Sequence, residues 1–228
     1  MKNVSIRNNY TYIPNEWEKI KIELIFDVIN SYSFSRSDLT LNSKINKILY
    51  IHYGDIHTTF KNIILDIKKC DKIPVLKNEL NISFDFLKNG DLIIADVSED
   101  YLGVGECIEI IGINNEKVIS GLHTIALRDK NCHTFETFRG YLLKHKEVLV
   151  ELKRLATGSK VYGISKNNLM KLDVILPPLP EQKKIAEILS TWDRAIEKIN
   201  SLIEAKTTYK KALTQRLLTG EIRFKEYI

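Results

Sequence analysis

Between Glu181 and Thr219 the chain runs without a glycine or a proline, directly after the cluster Pro177-Pro178-Leu179-Pro180. Proline fixes its own φ and disfavours helix at the residue before it, so the cluster forbids helix at and before the prolines and leaves Glu181 free to open one. Apolar side chains then recur at heptad-like spacing. Ile185, Ile188, Leu189, Trp192, Ala195 and Ile196 come first, and Ile199, Leu202, Ile203, Tyr209, Leu213 and Leu217 follow. Gly220 is placed to stop the helix. About 38 residues at about 1.5 Å each make a rod of roughly 57 Å. So narrow a stripe on so long a helix needs a partner helix, and a period sustained over about five heptads argues against a helix folded back on its own domain. All of these residues but Ala195 are the predicted dimerisation face. Lys206 falls at a stripe position, where the seam opens or its register is fixed.

Upstream, the grammar is that of strands. Lys47 to Tyr53 is β-branched and aromatic and runs into the turn Gly54-Asp55; Lys88-Asn89-Gly90-Asp91 feeds a strand over 92–96. Glu106 to Ile111 and Val118 to Leu127 give two more strands, with glycines between them. Short connections predict a mainly antiparallel, twisted sheet rather than a βαβ array. From Phe135 the period changes: Phe135, Phe138, Leu142, Leu149, Leu152 and Leu155 share one helical face, with Thr134 as N-cap and Gly158 as terminator. Ser165 caps a short turn leading to the strand Val174-Ile175-Leu176. Ile13-Pro14-Asn15-Glu16-Trp17 anchors the chain start, and Ser31 to Ser37 reads as a loop. The expected class is α+β: a mixed, largely antiparallel domain over residues 1–176, a proline linker over 177–180, one long helix over 181–219 that pairs as an antiparallel coiled coil in a dimer, and a tail over 220–228.

Thirty-four basic against twenty-nine acidic side chains give a net charge of +5, a mild excess that favours polyanions. The excess is spread over both parts of the chain, so if DNA is bound, specific contacts must share the work with steering. Cys70, Cys107 and Cys132 are odd in number and widely separated, which fits reduced, structural thiols. No apolar run approaches the roughly 18 residues of a membrane span, and the first residues lack an apolar signal core. A cytoplasmic protein is expected.

Catalytic motifs are weak. There is no P-loop, and Gly103-Val104-Gly105 lacks the third glycine and following helix of a nucleotide loop. The prolines 177 and 178 are flanked by Leu176 and Leu179, not by the polar and aromatic groups of an amino-methyltransferase signature. Glu151-Leu152-Lys153 matches the tripeptide of metal-dependent nucleases, but on a helix i and i+2 side chains diverge. Histidines 52, 57, 123, 133 and 145 have no metal-ligand spacing. No metal site and no catalytic residue are expected.

The positive signal is the run Ile175-Leu-Pro-Pro-Leu-Pro-Glu-Gln-Lys-Lys-Ile-Ala-Glu-Ile-Leu189, then Trp192-Asp193, then Leu213-Thr-Gln-Arg-Leu-Leu-Thr-Gly-Glu-Ile-Arg-Phe224. It closely resembles type I restriction-modification DNA specificity subunits. Ile13 to Trp17, Leu87 to Ile94 and Ala156 to Ser165 resemble further segments of that family. The resemblance implies a target recognition domain that reads one half of a bipartite DNA site, and a helix that spaces it from a second such domain. Complete members carry two of each, the helices packed antiparallel; this sequence has one of each. A half-size subunit that pairs with itself through residues 181–219 follows, and by twofold symmetry it reads an interrupted palindrome. The resemblance also implies a non-catalytic chain with no cofactor of its own, double-stranded DNA as ligand, and two protein partners: methyltransferase subunits that bring S-adenosylmethionine, and restriction subunits that bring ATP and Mg²⁺. Arg194, Glu197 and Lys198 are candidates for docking them.

Base reading needs hydrogen-bonding side chains on loops, while lysines, serines and backbone amides position phosphates. Candidates are Ser35, Arg36 and Ser37; Tyr53, His57, Thr58, Thr59 and Lys61; Ser98 and Tyr101; Ser120 and His123; and Ser159, Lys160 and Tyr162. Arg36 is the sharpest, since a guanidinium grips guanine or phosphate bidentately. Three alternatives stay open: a dimeric interaction protein that does not bind DNA, a nuclease acting through Glu151 and Lys153, and the C-terminal half of a split specificity subunit that needs a different partner half.

Overall fold

The computed structural model describes residues 13–41, 47–60, 62–78, 82–158 and 161–227. In chain order the first elements are β1 (Glu18–Lys21), α1 (Ile22–Ile25), β2 (Phe26–Ile29), β3 (Leu39–Thr40), β4 (Ile48–Ile51) and α2 (Tyr53–Thr58). There follow β5 (Ile64–Asp66), β6 (Val75–Leu76), β7 (Leu92–Ala95), β8 (Val97–Ser98), β9 (Cys107–Ile111), β10 (Lys117–Ser120) and β11 (Thr124–Asp129). The last are α3 (Arg139–Leu142), α4 (Lys146–Leu155), β12 (Tyr162–Gly163), α5 (Lys166–Met170), β13 (Asp173–Leu176) and α6 (Leu179–Leu218). The chain divides into two compact units, one ending at Ala186 and one running from Glu187.

The α+β class is as expected. In the first unit a five-stranded sheet has the order β2-β11-β7-β9-β5, antiparallel except for the β9–β5 pair. A four-stranded sheet has the order β10-β4-β6-β3, with β10 and β4 parallel. Two ribbons, β1–β13 and β8–β12, complete the fold. Side-chain alternation sorts three cores. Leu92 and Ile94, with Ile125 and Leu127, face the helices; Ile93 and Ala95, with Ile108 and Ala126, face the smaller sheet. Tyr50 and Ile119 point from that second sheet into a third core with Phe84. Each fully buried Ile or Leu contributes about 1.5–3 kcal/mol.

Four local expectations change. Gly54-Asp55 is not a turn but lies inside α2, which His52 caps from just past the end of β4. Val118 to Leu127 is not one strand but two, because Gly121 donates to Ile51 O (2.8 Å) and His123 adopts φ +56°, turning the chain from β10 in one sheet to β11 in the other. The helix expected from Phe135 is broken into α3 and α4. Thr134 does not cap it: both its backbone N–H and its hydroxyl are held by Asp129, Thr137 is left-handed at φ +74°, and His145 caps α4 instead by accepting from Glu147 N (3.3 Å). Finally, α6 begins at Leu179, with Pro180 inside its first turn, where a missing N–H leaves no bond unmade. Pro178 O accepts from both Glu181 N (2.9 Å) and Gln182 N (3.0 Å).

The root of α6 is fastened by Gln182, which is 1% exposed. Its Oε1 accepts from Phe135 N (2.8 Å), and its Nε2 donates to Pro177 O (2.9 Å) and His133 O (3.1 Å). Trp17 Nε1 donates to Glu181 Oε2 (3.0 Å), which ties the start of the described chain to the same turn. In the second unit α6 continues to Leu218 and stops where Gly220 takes φ +76°. At about 1.5 Å per residue its 40 residues span about 60 Å. No helix among the described residues is long and apolar enough to cross a membrane.

Candidate nucleic-acid interface

Five segments far apart in sequence meet on one face of the first unit. The turn Arg36–Asp38 opens at Ser35, whose backbone N–H and hydroxyl both donate to Asp38 Oδ2 (2.9 and 2.6 Å). Those bonds hold the Asp38 carboxyl below the ordinary carboxylate range. Ser37 Oγ lies 2.5 Å from Ser35 Oγ. From this turn Arg36 reaches α2, with Nη2 3.2 Å from Asp55 Oδ1 and Nη1 3.3 Å from Oδ2. Asp55 is buried, whereas the Arg36 side chain remains 56% exposed. His52 caps α2 by accepting from Gly54 N (3.0 Å) at Nδ1, so that nitrogen carries no proton. Burial first, and Arg36 second, push the His52 imidazole below its ordinary value.

On the other side of α2, His57 Nε2 donates to Val97 O (2.9 Å), tying the helix to β8. The Tyr53 ring meets His123 edge-on at 5.3 Å and His52 at 4.5 Å. His123 sits at the tip of the β10–β11 turn with Nδ1 3.3 Å from Asp96 Oδ1, a buried oxygen with no aligned hydrogen bond. Burial raises the Asp96 carboxyl above its ordinary value, and His123 opposes the rise. Gly103 packs so closely that a Cβ there would lie 2.5 Å from Ser98 Oγ and 3.4 Å from His57 Cε1. The β8–β12 ribbon then brings Tyr162 against Tyr101 (5.4 Å), with Lys153 Nζ 5.5 Å from the Tyr101 ring centre.

Arg36, Tyr53, His57, Ser98, Tyr101, His123 and Tyr162 are thus joined by direct or one-step contacts, and Ser35 and Ser37 belong to the same turn as Arg36. The hydroxyls of Thr58 and Thr59 bond within α2, to Gly54 O (2.7 Å) and Asp55 Oδ1 (3.5 Å). Ser98 and Ser120 are buried. Ser120 Oγ lies 2.6 Å from Thr124 Oγ1, so it supports the β10–β11 turn from inside and its side chain is not at the surface. Lys61, Ser159 and Lys160 lie outside the described residues. Sequence reasoning missed His52, Asp55 and Asp96, which orient the exposed groups. The only local signal was the His52-x-Gly54 spacing of a side-chain cap. Glu151 pairs with Arg154 (2.6 Å) while Lys153 points to Tyr101, so the tripeptide does not converge. No group of three or more His, Cys, Asp or Glu among the described residues could hold a metal.

The second unit carries the stripe. Ile188 (60% exposed), Trp192 (66%), Ile196, Ile199, Leu202, Ile203 and Tyr209 all stand in solvent on α6. Leu189 and Leu217 are also exposed, Leu213 is half-buried, and Ile185 packs on the first unit's core.

A sequence profile of the type I restriction modification DNA specificity domain matches residues 14–207, spanning the candidate face and most of α6. The chain belongs to that family. Among its relatives, the type I restriction enzyme MjaVIII specificity subunit of Methanocaldococcus jannaschii is 28% identical over 214 residues, covering 93% of this chain and 48% of the relative. The MjaX subunit of the same organism, whose name carries the same description provisionally, is 29% identical over 212 residues, covering 91% and 46%. In fold, the chain is similar to the type I S subunit from M. genitalium, with a TM-score of 0.58 at 18% identity over 95% of this chain and 48% of that one. The chain spans about half the length of the relatives it matches. The run 175–189 forms the end of β13, the proline turn and the Gln182-anchored root of α6.

Proposed function

We propose that this chain is a DNA specificity subunit of a type I restriction-modification system, whose first unit reads one half of a bipartite target through the face built by α2, the 36–38 turn, the 98–103 turn, the β10–β11 turn and β12. The observation that carries the reading is the convergence of those hydrogen-bonding segments on one face of a chain that belongs to this family. Arg36, His123 and Tyr101 expose donors there, and the buried carboxylate of Asp55 and the half-buried one of Asp96 stand next to the first two. Carboxylates fix the direction of a guanidinium or imidazole, as specific readout requires.

The exposed stripe on α6 supports self-pairing: a second copy covers it with the same residues in antiparallel array, and twofold symmetry then makes the target an interrupted palindrome whose gap follows the helix length. The chain is non-catalytic in this reading and acts in the cytoplasm. It recruits methyltransferase subunits, which hold S-adenosylmethionine, and restriction subunits, which use ATP and Mg²⁺. The test is light scattering on the full chain, alone and with its methyltransferase subunit, followed by methylation mapping. A dimer that takes up two methyltransferase subunits and methylates a split palindrome supports the reading. A monomer that pairs only with a second specificity chain, or two different half-sites, replaces self-pairing with a split subunit.

A further inference from the structure

The turn from β8 to β9 ends in an apolar tip that the rest of its unit leaves bare. Leu102 is 79% exposed. The turn beneath it is braced. Gly103 N donates to Asp100 Oδ1 (2.6 Å), Asp100 N donates to Ser98 Oγ (3.3 Å), and Ser98 is itself buried. A Cβ on Gly103 would lie 2.5 Å from Ser98 Oγ, so a larger residue there would have to displace that buried hydroxyl. Tyr101, beside the tip, is held by the edge of Tyr162 and by Lys153. His57, which ring contacts join through Tyr53 to His123, lies against the base of the same turn, so the turn adjoins the face that carries Arg36 and His123.

We propose that Leu102 is a wedge that enters the duplex at one base step and unstacks it, with Tyr101 beside it against the exposed base. This rests on the reading of the face as a DNA surface. The turn is acidic, with Glu99 and Asp100, and so is unsuited to lining phosphates. Its uncharged tip suits the stack between the strands, where apolar side chains of this size separate base pairs and kink the helix. A braced turn loses little freedom on insertion, and an aromatic neighbour offers the unstacked base a new partner.

The test uses the full chain and a duplex selected by its own binding from a randomised pool, with 2-aminopurine placed at successive positions. At one step the fluorescence is expected to rise several-fold on binding. Leu102→Ala is expected to abolish that rise and to weaken binding about tenfold, with the slope of affinity against salt unchanged because no phosphate contact is lost. Leu102→Met keeps both properties. Leu102 is exposed, so each variant is expected to melt with the wild type; should Leu102→Ala fold poorly, Leu102→Gln, similar in length but polar, gives the same comparison. No rise in the wild type, or an equal rise in Leu102→Ala, overturns the wedge while the DNA face stands, provided affinity still falls steeply with salt. A wild-type chain that selects no duplex overturns both readings together.

Discussion

Glu109 lies on β9 with 0% exposure, facing the turn that leads into α3. Its Oε1 accepts from Thr137 N (2.5 Å) and its Oε2 from Gly140 N (2.9 Å). Burial pushes its carboxyl up to about 7 from an ordinary 4.5, against the opposing pull of those two N–H groups and of Arg139. Below pH 4.5 the acid is protonated whether the chain is folded or not. Between 4.5 and 7 the unfolded chain loses the proton and the folded one keeps it, so stability falls as pH rises, and the loss is complete above about 7. At about 1.36 kcal/mol per pH unit, that interval amounts to about 3 kcal/mol. Glu109→Gln keeps an acceptor for one N–H at a fixed cost and removes the titration. Urea unfolding of both chains from pH 4.5 to 8 is therefore expected to show wild type losing about 3 kcal/mol relative to Glu109→Gln across the range. A difference between the two that stays constant within about 0.5 kcal/mol over that range would refute burial as the dominant influence on this carboxyl.

Gln182→Ala strips three hydrogen bonds, one buried and two part-buried, from the root of α6 and leaves Phe135 N without its partner, so a loss of about 2–4 kcal/mol is expected in calorimetry or urea unfolding; a change below about 0.5 kcal/mol would mean water replaces the amide. Arg36→Ala is expected to weaken binding of the selected duplex by about 1–3 kcal/mol in fluorescence anisotropy, and an unchanged affinity removes Arg36 from the readers. Paired with Asp55→Asn it also reports the coupling between the two, since each alone disturbs the other's charge. Trp192→Glu with Ile199→Glu places charge on the exposed stripe and is expected to give a monomer by light scattering while the first unit's melting is unchanged. A persistent dimer would move the self-association site off α6.

Much of the fold was legible because its signals are local. The strands at 92–96 and 106–111 carry alternating or continuous apolar residues that neighbours in sequence define. The splitting of 118–127 was not legible, since a left-handed histidine at 123 looks like any polar residue until Gly121 is bonded to Ile51. The broken helix after Phe135 failed for the same reason: Thr134 has the chemistry of an N-cap, but Asp129, five residues earlier in the chain, competes for its hydroxyl and wins. In the candidate interface, exposed donors on loops could be named from residue type alone, while Ser98 and Ser120, equally polar, turned out to lie inside.

By itself the sequence determined the long helix, the strand-rich unit before it, and the family, because periodicity, proline placement and a contiguous motif are properties of residues close in the chain. Only the tertiary structure decided that Arg36 meets Asp55, that His123 meets Asp96, that Tyr101 meets Tyr162, and that Gln182 fastens α6 to a turn 47 residues upstream. Such meetings depend on which strands pair and in what register, and those pairings are fixed by burying three cores at once rather than by any local preference.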